Sequence, residues 1–199
     1  MNSRLPIVLV LFLVLDAANA SLNEQKEIQD FYRRGLAGDQ DAVNQCIERL
    51  KAVLKIEPAN QLARVYLGSA YTMRSRDLGF GPRKLSTLKH GIALMDKAVA
   101  AAPDDPKVRL TRALTAAALP AIFGQRATSR KDFARLAQLA DTQPAEFEEG
   151  DLQIVYYHAG LAAKAVGDQS NATALWKKAL LHPANPALVT KTREVLAAP

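Results

Sequence analysis

Residues 58–103 read P-A-N-Q-L-A-R-V-Y-L-G-S-A-Y from Pro58 to Tyr71. A loop-like stretch follows, then L-K-H-G-I-A-L-M-D-K-A-V-A-A-A-P from Leu88 to Pro103. Leu62, Val65, Tyr66 and Ser69 flank the pair Leu67-Gly68, and Leu88, Ile92, Met95 and Val99 recur at helical spacing. These are two amphipathic helices. Gly79, Gly81 and Pro82 between them carry helix-breaking chemistry, so the spacing predicts a break over Ser75–Ser86. Small residues at Gly68 and Ala98 let paired helices approach closely, and Pro103 ends the second.

The same grammar extends in both directions. Upstream, helices are expected over about 22–36 and from Asp39 or Asp41 to Ile56, closed by Pro58. Downstream, Asp104 or Asp105 caps a helix over about 106–119, and Ser129 opens another to about Ala140. Residues 151–166 and 170–181 form a last pair around Gly167-Asp168. It carries Tyr156, Tyr157 and Gly160 on one helix, Ala172, Trp176 and Ala179 on the other, and is closed by Pro183. Sustained alternation of β-branched or aromatic residues is missing, while Ala, Leu, Lys, Arg, Gln and Glu dominate.

Leu67-Gly68, Tyr71, Ala98 and Pro103 together resemble the tetratricopeptide repeat, a helix–turn–helix unit of about 34 residues with an L-G-x2-Y signature and a closing Pro. The fourth pair resembles it through Gly160, Gly167-Asp168, Ala172, Ala179 and Pro183. Arg64 stands where the family often has Trp, and the third pair, with Arg109 and Arg112, matches least. The resemblance implies an all-α, right-handed α-α superhelix. It would hold about four helical pairs, at about 22–57, 60–103, 106–144 and 151–183, plus a C-terminal capping helix at 186–197. It also implies a protein-binding scaffold whose groove is lined by the first helix of each pair, including Arg64, Tyr66, Arg109, Arg112, Tyr156 and Tyr157.

The chain of 199 residues begins with an address. Arg4 precedes an apolar run, Leu5–Leu15, and Ala18-Asn19-Ala20 supplies a small-residue cleavage motif. Cleavage before Ser21 is expected, leaving 21–199 as a single exported domain, periplasmic or, alternatively, secreted. Eleven apolar residues are too few to span a bilayer, which takes about 20. Cys46, the one cysteine, has apolar neighbours at Val43, Ile47 and Leu50 and is expected to be a buried small residue; an intrachain disulfide is impossible.

Charge is uneven. Residues 21–73 hold seven basic and seven acidic side chains. Residues 74–135 hold thirteen and five, and residues 136–199 five and seven. The basic excess therefore lies mid-chain and favours an anionic partner or surface. It concentrates at two inter-helix stretches, Arg74, Arg76, Phe80, Arg83 and Lys84, and then Phe123, Gln125, Arg126, Arg130 and Lys131. Equivalent turns of adjacent repeats share an edge, so the two stretches are expected to unite as one basic patch. Asp77 and Asp132 are the local ion-pair partners available to it.

Little points to catalysis. There is no phosphate loop, dinucleotide fingerprint or nucleophile elbow. His90, His158 and His182 lie in different pairs without metal-ligand spacing. The acidic group Glu146, Glu148, Glu149 and Asp151 precedes a helix, where carboxylates complement the dipole. Asn171-Ala172-Thr173 matches a glycosylation acceptor. The expectation is a protein- or peptide-binding adaptor of the cell envelope, without cofactor, metal or nucleic acid. The alternative is capture of an anion or anionic polymer by the basic turns, in envelope transport or assembly.

Overall fold

The computed structural model describes residues 23–197. The leader reading of residues 1–20 lies outside them. Among the described residues the regular structure is helical throughout: α1 (23–36), α2 (Gln40–Ile56), α3 (Gln61–Asp77), α4 (Pro82–Ala101), α5 (Pro106–Ala118), α6 (Arg126–Thr142), α7 (Glu149–Ala165), α8 (Gln169–Leu180) and α9 (Pro186–Ala197), with short 3-10 turns at Ala121–Phe123 and Pro144–Glu146. No helix there is long and apolar enough to cross a membrane.

Side-chain caps fix the starts of α2, α3, α5 and α8, as the Asn185 side chain does that of α9. The Asp39, Asn60, Asp105 and Asp168 side chains accept hydrogen bonds from the amides of Ala42, Ala63, Val108 and Asn171. Each satisfies an amide that the first helical turn cannot. Capping thus selects Asp39 over Asp41 and Asp105 over Asp104.

The expected break at Ser75–Ser86 is much shorter than predicted. α3 continues to Asp77, α4 begins at Pro82, and only residues 78–81 turn. Proline suits a first helical turn, where its missing N–H costs nothing. Lys84 Nζ donates to the carbonyls of Arg76 and Leu78, and Ser75 Oγ donates to that of Lys84, so the two helix ends cap each other. The extra residues of this pair lengthen its helices. Likewise α6 starts at Arg126, ahead of Ser129, after Gly124 takes a left-handed φ of 70°.

The first helix of each pair lies parallel to the next, and in register. Tyr32 Oη on α1 hydrogen-bonds Ser69 Oγ on α3 at 2.8 Å, and Ser69 Oγ bonds Thr115 Oγ1 on α5 at 2.9 Å. Arg76 at the end of α3 donates to the Gly35 carbonyl at the end of α1. Lys107 at the start of α5 reaches Glu148, just before α7, at 3.2 Å. Turns within pairs (37–39, 78–81, 119–125, 166–168) therefore lie along one edge of the stack, and turns between pairs along the other.

The core is layered accordingly. Val43, Cys46, Ile47, Leu50, Leu67 and Met73 pack between α2 and α3. Val65, Met95, Ala98, Val99 and Val108 join α3, α4 and α5. A larger cluster around Phe133, Leu136, Val155, Tyr156 and Trp176 fills α5–α8. Trp176 is fully buried, lies directly against Gly160 and donates its indole N–H to the Tyr157 carbonyl. Burial pushes the Cys46 thiol up to about 12, so it is an inert packing group at neutral pH.

Gly68 and Gly91 touch backbone to backbone: a Cβ on Gly68 would stand 2.6 Å from the Gly91 carbonyl oxygen, whereas one on Gly79 would meet nothing. Gly68→Leu is predicted to lower stability by about 1–3 kcal/mol or more, and Gly79→Leu to change it by about 0.5 kcal/mol or less; urea midpoints compare them. A second expectation concerns His158, stacked on Phe133 at 4.6 Å and 13°. Burial, aided by Lys191, pushes its pKa down to about 4. The unfolded chain takes up this proton near pH 6.5 and the folded chain only near pH 4. His158 thus costs the fold nothing above about pH 6.5 and destabilises it progressively between about pH 6.5 and 4, by roughly 1–3 kcal/mol. Stability of His158→Gln should fall less over that range, as read by thermal melts at both pH values.

Candidate functional site

The inner face of the stack is a groove of about 770 Å³. Three of the four first helices contribute a stripe: Gln29, Tyr32 and Leu36 from α1; Leu62, Tyr66, Ser69, Met73 and Arg76 from α3; Lys107, Thr111, Leu114 and Ala118 from α5. The steps of three or four residues put each set on a single helical face. Leu36, Leu62 and Leu114 stay exposed there, at 59, 36 and 37 %. Tyr32 and Tyr66 meet edge to face, with centroids 4.8 Å apart. Burial pushes the Tyr32 hydroxyl up to about 12, so it serves as a neutral hydrogen-bonding group.

The groove has unlike ends. At one stand Arg76 and the turn residues Leu119 and Pro120; at the other, Lys107, Glu148 and Asp151. The Asp151 carboxyl is held above the usual range by burial and by Glu148, against the pull of Lys107.

Of the residues expected to line a groove, Tyr66 does so. Arg109 and Arg112 do not, and their placement corrects the sequence reading. Both turn against α6 and close on Asp132, which is wholly buried. Arg109 Nη1 reaches it at 2.6 Å, Arg112 grips it through Nε and Nη2 at 2.8 Å each, and Arg112 Nη1 also meets Asp96 at 3.0 Å. A buried carboxylate must be paired, and two guanidiniums on one face of α5 do it. Arg64 is held by the Gln61 side chain and the Pro58 carbonyl. Tyr156 is buried, donating to Asp141 at 2.9 Å with the Lys178 ammonium over its ring. Tyr157 packs beside His158.

The expected basic patch is distributed mostly over helix ends. Arg74 and Arg76 are on the last turn of α3, Arg83 and Lys84 on the first of α4, and Arg126, Arg130 and Lys131 on the first two turns of α6. Arg76 pairs with Asp77 at 2.9 Å, and Lys84 caps α3. Phe80 stands at a turn tip, fully exposed. Phe123 is half-buried, and its neighbour Ile122 is the exposed side chain of the second turn.

The groove stripe follows i, i+3, i+4 and i+7 spacing in α1, α3 and α5, yet Tyr32, Leu36, Leu62, Thr111, Leu114 and Thr115 are not among the residues expected to line a groove. Their positions look like ordinary core positions until the facing side proves to have no covering element. Asp132 carried a clearer signal, a carboxylate on the Phe133–Leu136–Ala140 stripe.

Asp132→Ala, which strands two guanidiniums inside the stack, is predicted to cost about 3–5 kcal/mol. Asp96→Ala, at the exposed end of the same cluster, should cost about 1 kcal/mol or less. Chemical denaturation of both variants reads the contrast.

No protein-family model matches the sequence, and no curated protein matches it. Among solved structures, TTC0263, a thermophilic TPR protein of Thermus thermophilus, superposes with a TM-score of 0.58 at 18 % identity, covering 94 % of this chain and 97 % of that one. A mutant of MamA aligns with a TM-score of 0.49 at 20 % identity, over 87 % of this chain and 85 % of that one. Antiparallel helical pairs, in-register first helices and an open inner face, together with the likeness to TTC0263, place this chain in the TPR-like fold, an all-α solenoid.

Proposed function

We propose that this chain is an exported scaffold of the cell envelope, periplasmic, whose inner groove holds an apolar segment of a protein partner. The observation that carries the reading is the groove itself: three leucines and two tyrosines from three different helices converge on one uncovered concavity. Nothing in the packing of the stack requires Leu62 or Leu114 to be apolar where they stand. Concave surfaces of this size with convergent apolar side chains and a few hydroxyls suit a bound segment. Ser69, Thr111 and Thr115 already donate or share hydrogen bonds within the stack, so they add little desolvation cost when a ligand covers them. The Leu5–Leu15 run and Ala18-Asn19-Ala20 support the export reading.

Peptide display against the full chain tests the groove. Selected peptides should carry apolar anchors and bind with weak salt dependence, since burial of apolar surface is little screened. Leu62→Glu combined with Leu114→Glu should lower their affinity by at least about tenfold, with the melting temperature held. Undiminished binding by that variant would remove the groove as the site.

A further inference from the structure

The two edges of the stack differ in charge and in what protrudes from them. The edge of the within-pair turns carries Arg83, Lys89, Arg126, Arg130 and Lys131, all exposed and none in an ion pair among the described residues; of the acidic residues there, Asp39 and Asp77 are paired with Arg34 and Arg76, and Asp41 and Asp168 lie at the outer turns. The opposite edge, over residues 102–108 and 143–151, carries Asp104, Asp105, Glu146, Glu148, Glu149 and Asp151; the basic groups that meet them are Lys107 at Glu148, Arg135 at Asp104 and His182 at Glu149.

The basic cations do not serve the helices they start. The first turns of α4 and α6 hold no acidic residue, and Arg83, Lys84 and Arg126 there oppose the dipole. By contrast, α2 and α7 have Asp41, Glu149 and Asp151 in their first turns.

Between these cations, large apolar side chains project outward. Phe80 is 99 % exposed between Gly79 and Gly81, and Ile122 is 88 % exposed before Gly124. Val166 stands exposed at a flanking turn of the same edge. Ile56 and Leu181 protrude from the opposite edge, so apolarity alone does not choose between the two. Charge does. Phe80 and Ile122 are isolated tips with almost their whole surface in solvent. Such tips suit a fluid phase that deforms around each of them.

We propose that the within-pair edge is a docking surface for an anionic phospholipid bilayer: Phe80 and Ile122 enter the headgroup region, and the surrounding Arg and Lys side chains bind lipid phosphate. Each cation held at such a surface strengthens adsorption, and shallow apolar insertion adds to it. The acidic edge is repelled and faces away. The groove opens on the inner face, between the edges, and remains accessible on the docked molecule.

Flotation of the exported form, residues 21–199, with phosphatidylglycerol–phosphatidylcholine vesicles, and with phosphatidylcholine alone, tests this; the apolar Leu5–Leu15 run is then absent from every arm. The wild type should bind the anionic vesicles and release as salt rises. The quadruple change Arg83→Gln, Arg126→Gln, Arg130→Gln and Lys131→Gln should lower partitioning by at least about a hundredfold. Phe80→Ser with Ile122→Ser should lower it about tenfold. Melting temperatures should hold in both. In Phe80→Trp, the emission added over that of buried Trp176 should shift to shorter wavelength and be quenched by brominated lipid. Absence of that quenching overturns the proposal even if the chain floats. So does equal binding of the charge variant. Loss in the charge variant with none in the Phe80/Ile122 variant would mean that the edge holds anions, such as an acidic polymer, by charge alone, and bilayer insertion would be rejected.

Discussion

Three hydroxyl groups set the geometry on which the rest of this molecule depends. Tyr32, Ser69 and Thr115 form a hydrogen-bonded row across α1, α3 and α5, at equivalent depths in α3 and α5. Side-chain hydrogen bonds have strict length and direction, so the row fixes axial register where apolar packing alone would tolerate sliding. Once the first helices run parallel and level, two consequences are forced. Their inner stripes merge into a single concavity, and the turns of each kind collect on one edge. The close contact of Gly68 with Gly91 performs the complementary task within a pair, drawing α3 and α4 together.

The groove exists because each first helix has more apolar surface than its neighbours can cover. α3 is buried by α2 and α4 on its outer sides and by α5 laterally, and its remaining side chains Leu62 and Tyr66 face the open groove. A repeat stack satisfies its outer faces by adding layers, but no layer is added on the inside. The concavity is thus a property of the architecture, while the apolar side chains exposed in it are not required by packing; nor is Phe80, since a four-residue turn with two glycines folds equally well around a polar residue.

Much of this was readable from residue spacing. Helical pairs, a cap at Asp39 or Asp41 and another at Asp104 or Asp105, the tight role of Gly68 and the packing role of Trp176 follow from local chemistry and from side-chain size. The misplacements have a common cause: the direction in which a long side chain leaves its helix. Arg109 and Arg112 look like a charged groove face in sequence and instead fold outward onto Asp132, because an unpaired carboxylate at that depth would be far more costly than two bound guanidiniums. Likewise Gly79, Gly81 and Pro82 spell a long loop, yet Pro82 is compatible with a first helical turn and Lys84 caps the helix before it, so helices claim most of the stretch. Which stripe of a first helix lacks a cover depends on the whole stack and is invisible in any one repeat.

The division of the core into separate clusters bears on how the chain comes apart. The α5–α8 cluster is the largest and holds the Trp176 anchor, whereas α1 is tied on mainly through Ile28, Phe31 and Tyr32. In a linear stack each unit contacts only its neighbours, so opening can begin at an end and proceed by layers. Amide exchange would then be graded along the chain, fastest in α1 and slowest in α7 and α8. Tension applied between the termini would peel the N-terminal layers first, dismantling the groove while the α5–α8 half still stood.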